Sequence, residues 1–300
     1  MSSIPYSIET VPARSPRFGT TLGGFLRVLK QLASRPLSLL GLLIAILFFL
    51  MAIFGPLIAP YPFDALLPNA ARLPPSSQYV FGTDKLGRDV FSRVLFGARE
   101  VIAIPGIATA IAVVIGTTVG LFLGYYGGWI DEVVSRGLDS LLALPAMLLA
   151  LVMLGTIGPS PVGIVIVIVV LYVPIVTRVI RSATLNVRAS GFIEAARLRG
   201  ESTPYILFRE ILPSILPALS VEAALRFSYA IFLTASLGFL GLGVQPPSPD
   251  WGRMVNEARE SYDRAPWALW FPAAAIAVLV IGVNLLADGL RRVFRYEGQN

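Results

Sequence analysis

The sequence predicts an all-α integral membrane protein with six transmembrane helices, and three observations carry that expectation. Only 14% of its 300 residues are charged, against roughly a quarter in an ordinary soluble domain. Hydrophobic residues make up 55% and the mean hydropathy is +0.74. The apolar residues also gather into six runs near the ~20 residues that a helix needs to cross a bilayer core.

The first run, 36–59, and the second, 101–124, contain no charged residue. The third, 138–158, holds only Asp139, and the fourth, 161–177, is short and almost purely Val, Ile and Leu. β-Branched residues are plentiful there, but a membrane strand alternates polar and apolar residues, and this segment does not. The fifth run, 215–244, contains Glu222 and Arg226; the sixth, 265–287, opens with Trp267 and Trp270, as spans with interfacial aromatics do. The polar start of the chain is not that of a cleavable signal peptide, so the first run is read as a span. The expected organisation is a tail over 1–35, a first helix with an external loop over 36–100, a five-helix core over 101–291 and a tail over 292–300.

Six spans place both termini on one side. Loops and tails on that side carry fifteen Arg and Lys residues, including Arg14, Arg17, Arg178, Arg181 and Arg291, against eight on the other. Those eight are matched by eight carboxylates. Basic residues concentrate in cytoplasmic loops, so both termini are expected in the cytoplasm. The basic residues flank apolar spans and form no stripe, which argues against a nucleic-acid partner.

Cysteine and histidine are both absent. Disulfides, thiol nucleophiles, Cys/His metal sites and Ser-His-Asp triads are thereby excluded within the chain. No catalytic or metal set emerges. The two lysines, Lys30 and Lys85, do not follow a glycine, so no phosphate-cradling Gly-Lys-Ser/Thr loop exists. The chain cannot bind ATP in that way, and if it takes part in ATP-driven transport the nucleotide must sit on another polypeptide.

The longest inward loop, 178–214, is the most informative segment. Ser190 is suited to cap a short helix, and Glu194 falls in its first turn, where the helix dipole favours a carboxylate. Gly200 closes it. Thr203 would cap a second helix, with Pro204 at its first position, and Leu212 with Pro213 would end it. Small Ala side chains at 195 and 196 permit close approach of a partner, and the surrounding arginines could pair with its acids. The same residues also suit a basic helix lying on the membrane surface, or a solvated connector.

The pattern Glu194-Ala195-Ala196, Gly200, then Leu212-Pro213 resembles the cytoplasmic signature of binding-protein-dependent ABC importer permeases. Relatives often carry His where this chain has Glu210. The stretch Phe81-Gly82-Thr83-Asp84-Lys85-Leu86-Gly87-Arg88-Asp89 is similar to the segment before the second span in the dipeptide/oligopeptide (nickel/peptide) permeases, specifically their C-type subunit. So are Gly124-Tyr125-Tyr126-Gly127-Gly128-Trp129 and Gly241-Leu242-Gly243-Val244-Gln245-Pro246-Pro247. This resemblance implies a MetI-like, type I importer permease fold. It implies a complex with a second homologous permease, two ATPase subunits that hold ATP and Mg, and an extracytoplasmic binding protein. In such a complex the loop around Glu194, Ala195, Ala196 and Gly200 would seat in a cleft of the ATPase. Substrates of relatives include peptides, nickel and glutathione.

Two further sets of residues are singled out. Glu222 and Arg226 lie four apart on one helix face, in the favoured order for a pair; intramembrane charges often mark a pathway, and a self-neutralising structural pair is the plainer alternative. Gly82, Thr83, Asp84, Gly87, Arg88 and Asp89 suggest a capping or docking loop at the external face. Asp139 and Asp288 are expected to be structural. A solitary secondary transporter is disfavoured by the lack of an internal repeat, and a membrane enzyme by the scatter of carboxylates.

Overall fold

The computed structural model describes residues 22–297, with side chains over 28–294. The expectations for Arg14 and Arg17, and for the outer parts of both tails, lie outside the described residues. Among the described residues the regular elements are helices, joined by an irregular segment over 59–89 and shorter connections: α1 (Leu22–Ala33), α2 (Pro36–Ile58), α3 (Val90–Tyr126), α4 (Gly128–Leu142), α5 (Ala146–Ile157), α6 (Pro161–Arg188), α7 (Gly191–Leu198), α8 (Thr203–Tyr205), a π-helical turn (Ile206–Ile211), α9 (Leu212–Phe239), α10 (Trp251–Arg259) and α11 (Trp267–Glu297). Five helices are long and apolar enough to cross a membrane, and the bent pair α4 and α5 makes a sixth crossing when taken together.

That bent pair corrects the expectation of one straight helix over 138–158. The axis turns by 86° between Leu142 and Ala146. Pro145 has no N–H to continue the ladder and biases Leu144 away from helical torsions, so the span divides there. Leu144 falls back on Leu141 O at 3.3 Å, and α5 restarts with Leu149 N donating to Pro145 O at 3.1 Å.

Two other boundaries move. The fourth span does not end at Thr177 but continues to Arg188, because Ile180 and Thr184 still face the bundle and are fully buried. Leu212 and Pro213 do not end the second loop helix either. The chain runs helically from Thr203 to Phe239, and the π-turn absorbs the proline: Leu212 N reaches back to Leu207 O. A wider turn accommodates the hydrogen bond that Pro213 cannot make.

α3 stands at the centre, against α2, α6 and α9. Its contact with α6 rests on Gly116, Gly120 and Gly124, one turn apart. A Cβ on Gly120 would lie 2.8 Å from Thr177 O, and one on Gly124 would lie 2.6 Å from Thr184 Cβ. Small residues let two helix backbones approach where lipid supplies no hydrophobic drive between them. Away from the bundle, α2 exposes Leu43, Leu47, Phe49 and Leu57, as a lipid-facing helix does.

The helix ends fall into two groups. One end of the bundle gathers α1, the end of α3, α4, the end of α6, α7 and α8. The other gathers the segment 59–89, the start of α3 and α10. The sequence reading did not anticipate α10: its buried Trp251 donates from Nε1 to Val94 O at 3.1 Å, which pins it beside α3.

Candidate functional site

Three sets of residues stand out in the bundle, the first of them on α7. Ser190 precedes the helix as expected, but its hydroxyl donates to Val187 O at 2.6 Å and caps nothing. Glu194 is exposed in the first turn. Gly200 has φ +76°, the left-handed torsion that glycine adopts at no steric cost, and it turns the chain toward α8. The second cap shifts by one residue, from Thr203 to Ser202.

The two alanines of α7 diverge. Ala196, with Ile193, is fully buried against Ile180, Leu207 and Ile211. Ala195 is exposed beside Glu194, and Leu198 is 85% exposed at the tip. Leu198 was not singled out from sequence, although an apolar residue on the polar side of a short amphipathic helix was a readable signal. Leu212 and Pro213 are half-buried at the root of α9 and stand behind α7 instead of on its open face.

Arginines fix this end of the bundle. Arg188 donates to Gly124 O at 3.0 Å and Tyr125 O at 3.2 Å, so α6 closes the C-terminus of α3. Arg197 lies 4.8 Å over the Tyr125 ring. Arg181 Nη2 donates to Asp131 Oδ2 at 2.6 Å and Arg178 pairs with Asp139, which ties α4 to α6 just before the bend. The Arg178–Asp139 pair is more than half exposed and adds little stability. Arg199 and Glu210 are 3.6 Å apart.

At the opposite end, all of Gly82, Thr83, Asp84, Gly87, Arg88 and Asp89 are buried. These side chains are turned into the protein and do not form an open docking surface. Asp84 accepts from Leu86 N at 2.8 Å, Arg88 N at 3.0 Å, Arg88 Nε at 2.6 Å and Arg93 Nη1 at 2.8 Å. Arg88 Nη2 continues to Glu257 of α10 at 2.6 Å, and Glu257 also accepts from Arg253 at 3.1 Å. Burial pushes the Glu257 carboxyl up, but Arg93 and Arg88 outweigh it and hold it below the usual range. Asp89 accepts from Ser92 N at 2.7 Å and caps α3. Trp267 Nε1 donates to Thr83 O at 3.0 Å. Lys85 pairs with Glu260 at the surface. Segment 82–93, α10 and the start of α11 are thus one clasp, and its members Arg93 and Glu257 were not singled out from sequence.

Asp250 caps α10, accepting from Arg253 N at 2.7 Å. Burial, aided by Glu100, pushes its carboxyl up to about 6 against the Arg253 N–H that lowers it. The folded chain therefore holds this proton more tightly than the unfolded chain. The stability from this proton is full below pH ~4 and is lost as pH rises through about 6. Asn keeps the cap without the charge. Asp250→Asn should match wild type in thermal unfolding at pH 4 and exceed it at pH 8 by on the order of 2 kcal/mol. Equal stability at both pH values would show that the buried charge costs nothing.

The third set lies on α9. Arg226 is close to halfway along it, with Nε 2.8 Å from Glu222 Oε1. The two atoms touch without the alignment of a hydrogen bond. The guanidinium also sits 5.6 Å over Tyr172 of α6 and 5.0 Å over Tyr229. The structure brings the expected pair together and adds two tyrosines to it.

A bundle of six crossings, with a short helix presenting an apolar tip at one end and a locked cap at the other, defines a multi-pass membrane protein. Residues 116–295 match the family described as binding-protein-dependent transport system inner membrane component, and the chain belongs to that family. Residues 25–75 match the N-terminal transmembrane domain of oligopeptide transport permease C. The dipeptide transport system permease protein of Alkalihalophilus pseudofirmus is 40% identical over 91% of this chain and 90% of its own length. A probable D,D-dipeptide transport system permease protein of Escherichia coli is 36% identical over 94% and 95%. The glutathione transport system permease protein of Pectobacterium atrosepticum is 42% identical over 72% of each. Among solved structures, the inward-facing MetNI methionine ABC transporter contains a chain that aligns with TM-score 0.56 and 20% identity, over 67% of this chain and 95% of that one. The fold is accordingly the MetI-like permease fold.

Proposed function

We propose that this chain is the channel-forming subunit of an ATP-driven importer of short peptides. The single observation that carries the substrate class is the match to a dipeptide permease across nine-tenths of both chains. In this reading the path is shared with a second, homologous permease. An extracytoplasmic binding protein delivers the peptide to the end capped by α10. Two ATPase subunits hold ATP and Mg and hydrolyse it.

The end bearing α7 faces the cytoplasm, and residues 194–200 seat in the ATPase. What supports the seating is the divided helix: Ile193 and Ala196 anchor it to the bundle while Ala195 and Leu198 stand free. Leu198, at the tip of the helix beside Ala195, gives it an apolar contact to offer a partner.

Vesicles reconstituted with the chain, its partner permease, the ATPases and the binding protein should take up a labelled dipeptide when ATP is supplied on the α7 side. The chain alone should neither hydrolyse ATP nor transport. Uptake without the ATPases would sink the ATP-driven reading. ATP hydrolysis stimulated by the binding protein without dipeptide uptake would sink the substrate class.

A further inference from the structure

The mid-span cluster on α9 has features that a plain structural pair does not need. Glu222 covers only the Nε edge of Arg226. A guanidinium carries five N–H donors in a planar fork, and among the described residues the polar contact of Arg226 is the one at Nε, with neither terminal nitrogen engaged. Those nitrogens are not sealed in the interior. They lie at the margin of a helix face that no other element covers among the described residues, along which Tyr229 is 51% exposed and Phe232 60% exposed.

Tyr172 links this cation to a second feature. It stacks against Arg226 from α6 and also lines a cavity of about 380 Å³ at the bend between α4 and α5, with Leu144, Pro145, Leu149 and Leu171. The cavity is of a size that holds small organic molecules. Tyr172 thus connects a fixed cation with free donors, close to halfway along α9, to an apolar recess on α6 and the α4–α5 bend.

We propose that Arg226, steadied by Glu222, Tyr172 and Tyr229, is a transit site for the free C-terminal carboxylate of a passing peptide, with the recess taking the apolar side chain beside it. This rests on the peptide-import reading above and names the chemical group that the path recognises. Planar, bidentate recognition of a carboxylate is what arginine does best. Glu222 serves two purposes in this arrangement. It holds the fork against the helix, and it offsets the charge so that the carboxylate binds weakly enough to leave, as conduction requires. The two rings restrict rotation of the guanidinium through cation–π contact.

The test uses the complete complex in vesicles and compares uptake of alanyl-phenylalanine with that of its C-terminal amide, both at concentrations saturating a binding protein whose affinity for each is measured separately. Wild type should import the free acid about tenfold faster than the amide, equivalent to about 1.4 kcal/mol. Removing Arg226 alone would strand Glu222 in a buried position, so the doubly neutral variant Glu222→Gln/Arg226→Gln is used, and its acid-to-amide ratio should fall to near one. Tyr229→Ala removes an exposed ring without touching the core, and should lower the ratio several-fold in a complex that assembles normally. Arg226→Lys should keep a partial preference. A ratio near one in wild type, or an unchanged ratio in the doubly neutral and Tyr229→Ala complexes, overturns the proposal. If wild type imports neither peptide while its ATPases respond to the binding protein, the peptide reading has failed and this site falls with it.

Discussion

Replacing Leu198 by Glu should lower ATP-driven uptake at least tenfold while leaving the chain inserted and as stable as wild type. Leu198 is 85% exposed, so no contact within the chain is lost, and such surface changes stay within about 0.5 kcal/mol. In a partner's cleft the same leucine would bury its side chain, worth about 1.5–3 kcal/mol. A carboxylate placed there adds a desolvation cost on top. The two effects together exceed the ~1.4 kcal/mol of a tenfold change. Co-purification of the ATPase, read beside uptake and thermal unfolding, separates failed seating from failed folding. Ala195→Trp should behave similarly. Ala196→Trp should not: it forces a large ring among Ile180, Leu207 and Ile211, and overpacking of this kind costs about 1–3 kcal/mol of the chain's own stability. Full uptake by Leu198→Glu, with wild-type ATPase recovery, would mean that α7 is a solvated connector.

The divergence of Ala195 and Ala196 shows where sequence reading stops. The Glu-Ala-Ala pattern and the glycine after it were legible, and Gly200 does take a positive φ. Which alanine faces outward depends on how α7 lies on α6 and the π-turn, and that is a tertiary fact. Periodicity places residues on faces of a helix; it does not say which face has a partner.

The crossings were legible for a simple reason: twenty apolar residues have few other places to go. Their ends were not. Composition changes at Thr177, but the helix continues to Arg188 because Ile180 and Thr184 go on packing against α3. Proline acts in opposite ways at two positions. Pro145 breaks a span that hydropathy alone made continuous, whereas Pro213 is carried inside a helix by the π-turn before it. A proline's effect depends on whether its neighbours can rearrange their hydrogen bonds, and the sequence does not display that.

The residues at 82–89 were legible as a set and not as a role. Glycines, acids and bases in a short loop suit a docking surface as well as a buried network. Their partners decide between the two, and those partners, Arg93 and Glu257, lie on α3 and α10. Glu257 is far away in sequence, on a helix too short and too polar to stand out.

That network sets the largest expected loss of stability. Asp84→Ala should lower the unfolding temperature by on the order of 10 °C in detergent, from a cost of about 3–5 kcal/mol. Asp84 is 8% exposed and accepts from two backbone amides and two guanidiniums. Its removal leaves Arg88 and Arg93, both nearly enclosed, sharing Glu257 as their remaining carboxylate. Two buried cations on one anion repel each other, and neither can return to water without opening the segment. The freed amides of Leu86 and Arg88 add unsatisfied donors to that cost. Cleavage by trypsin after Arg72 should therefore rise together with the fall in unfolding temperature, since Arg72 N is held by Asp84 O in the same loop. Lys85→Ala provides the contrast. Its partner Glu260 is 76% exposed at the side chain, and a surface pair of that kind contributes little, so its unfolding temperature should stay at the wild-type value. An unchanged unfolding temperature for Asp84→Ala would mean that the cap is held to the bundle by its other contacts, Trp251 and Trp267 among them, and not by this carboxylate.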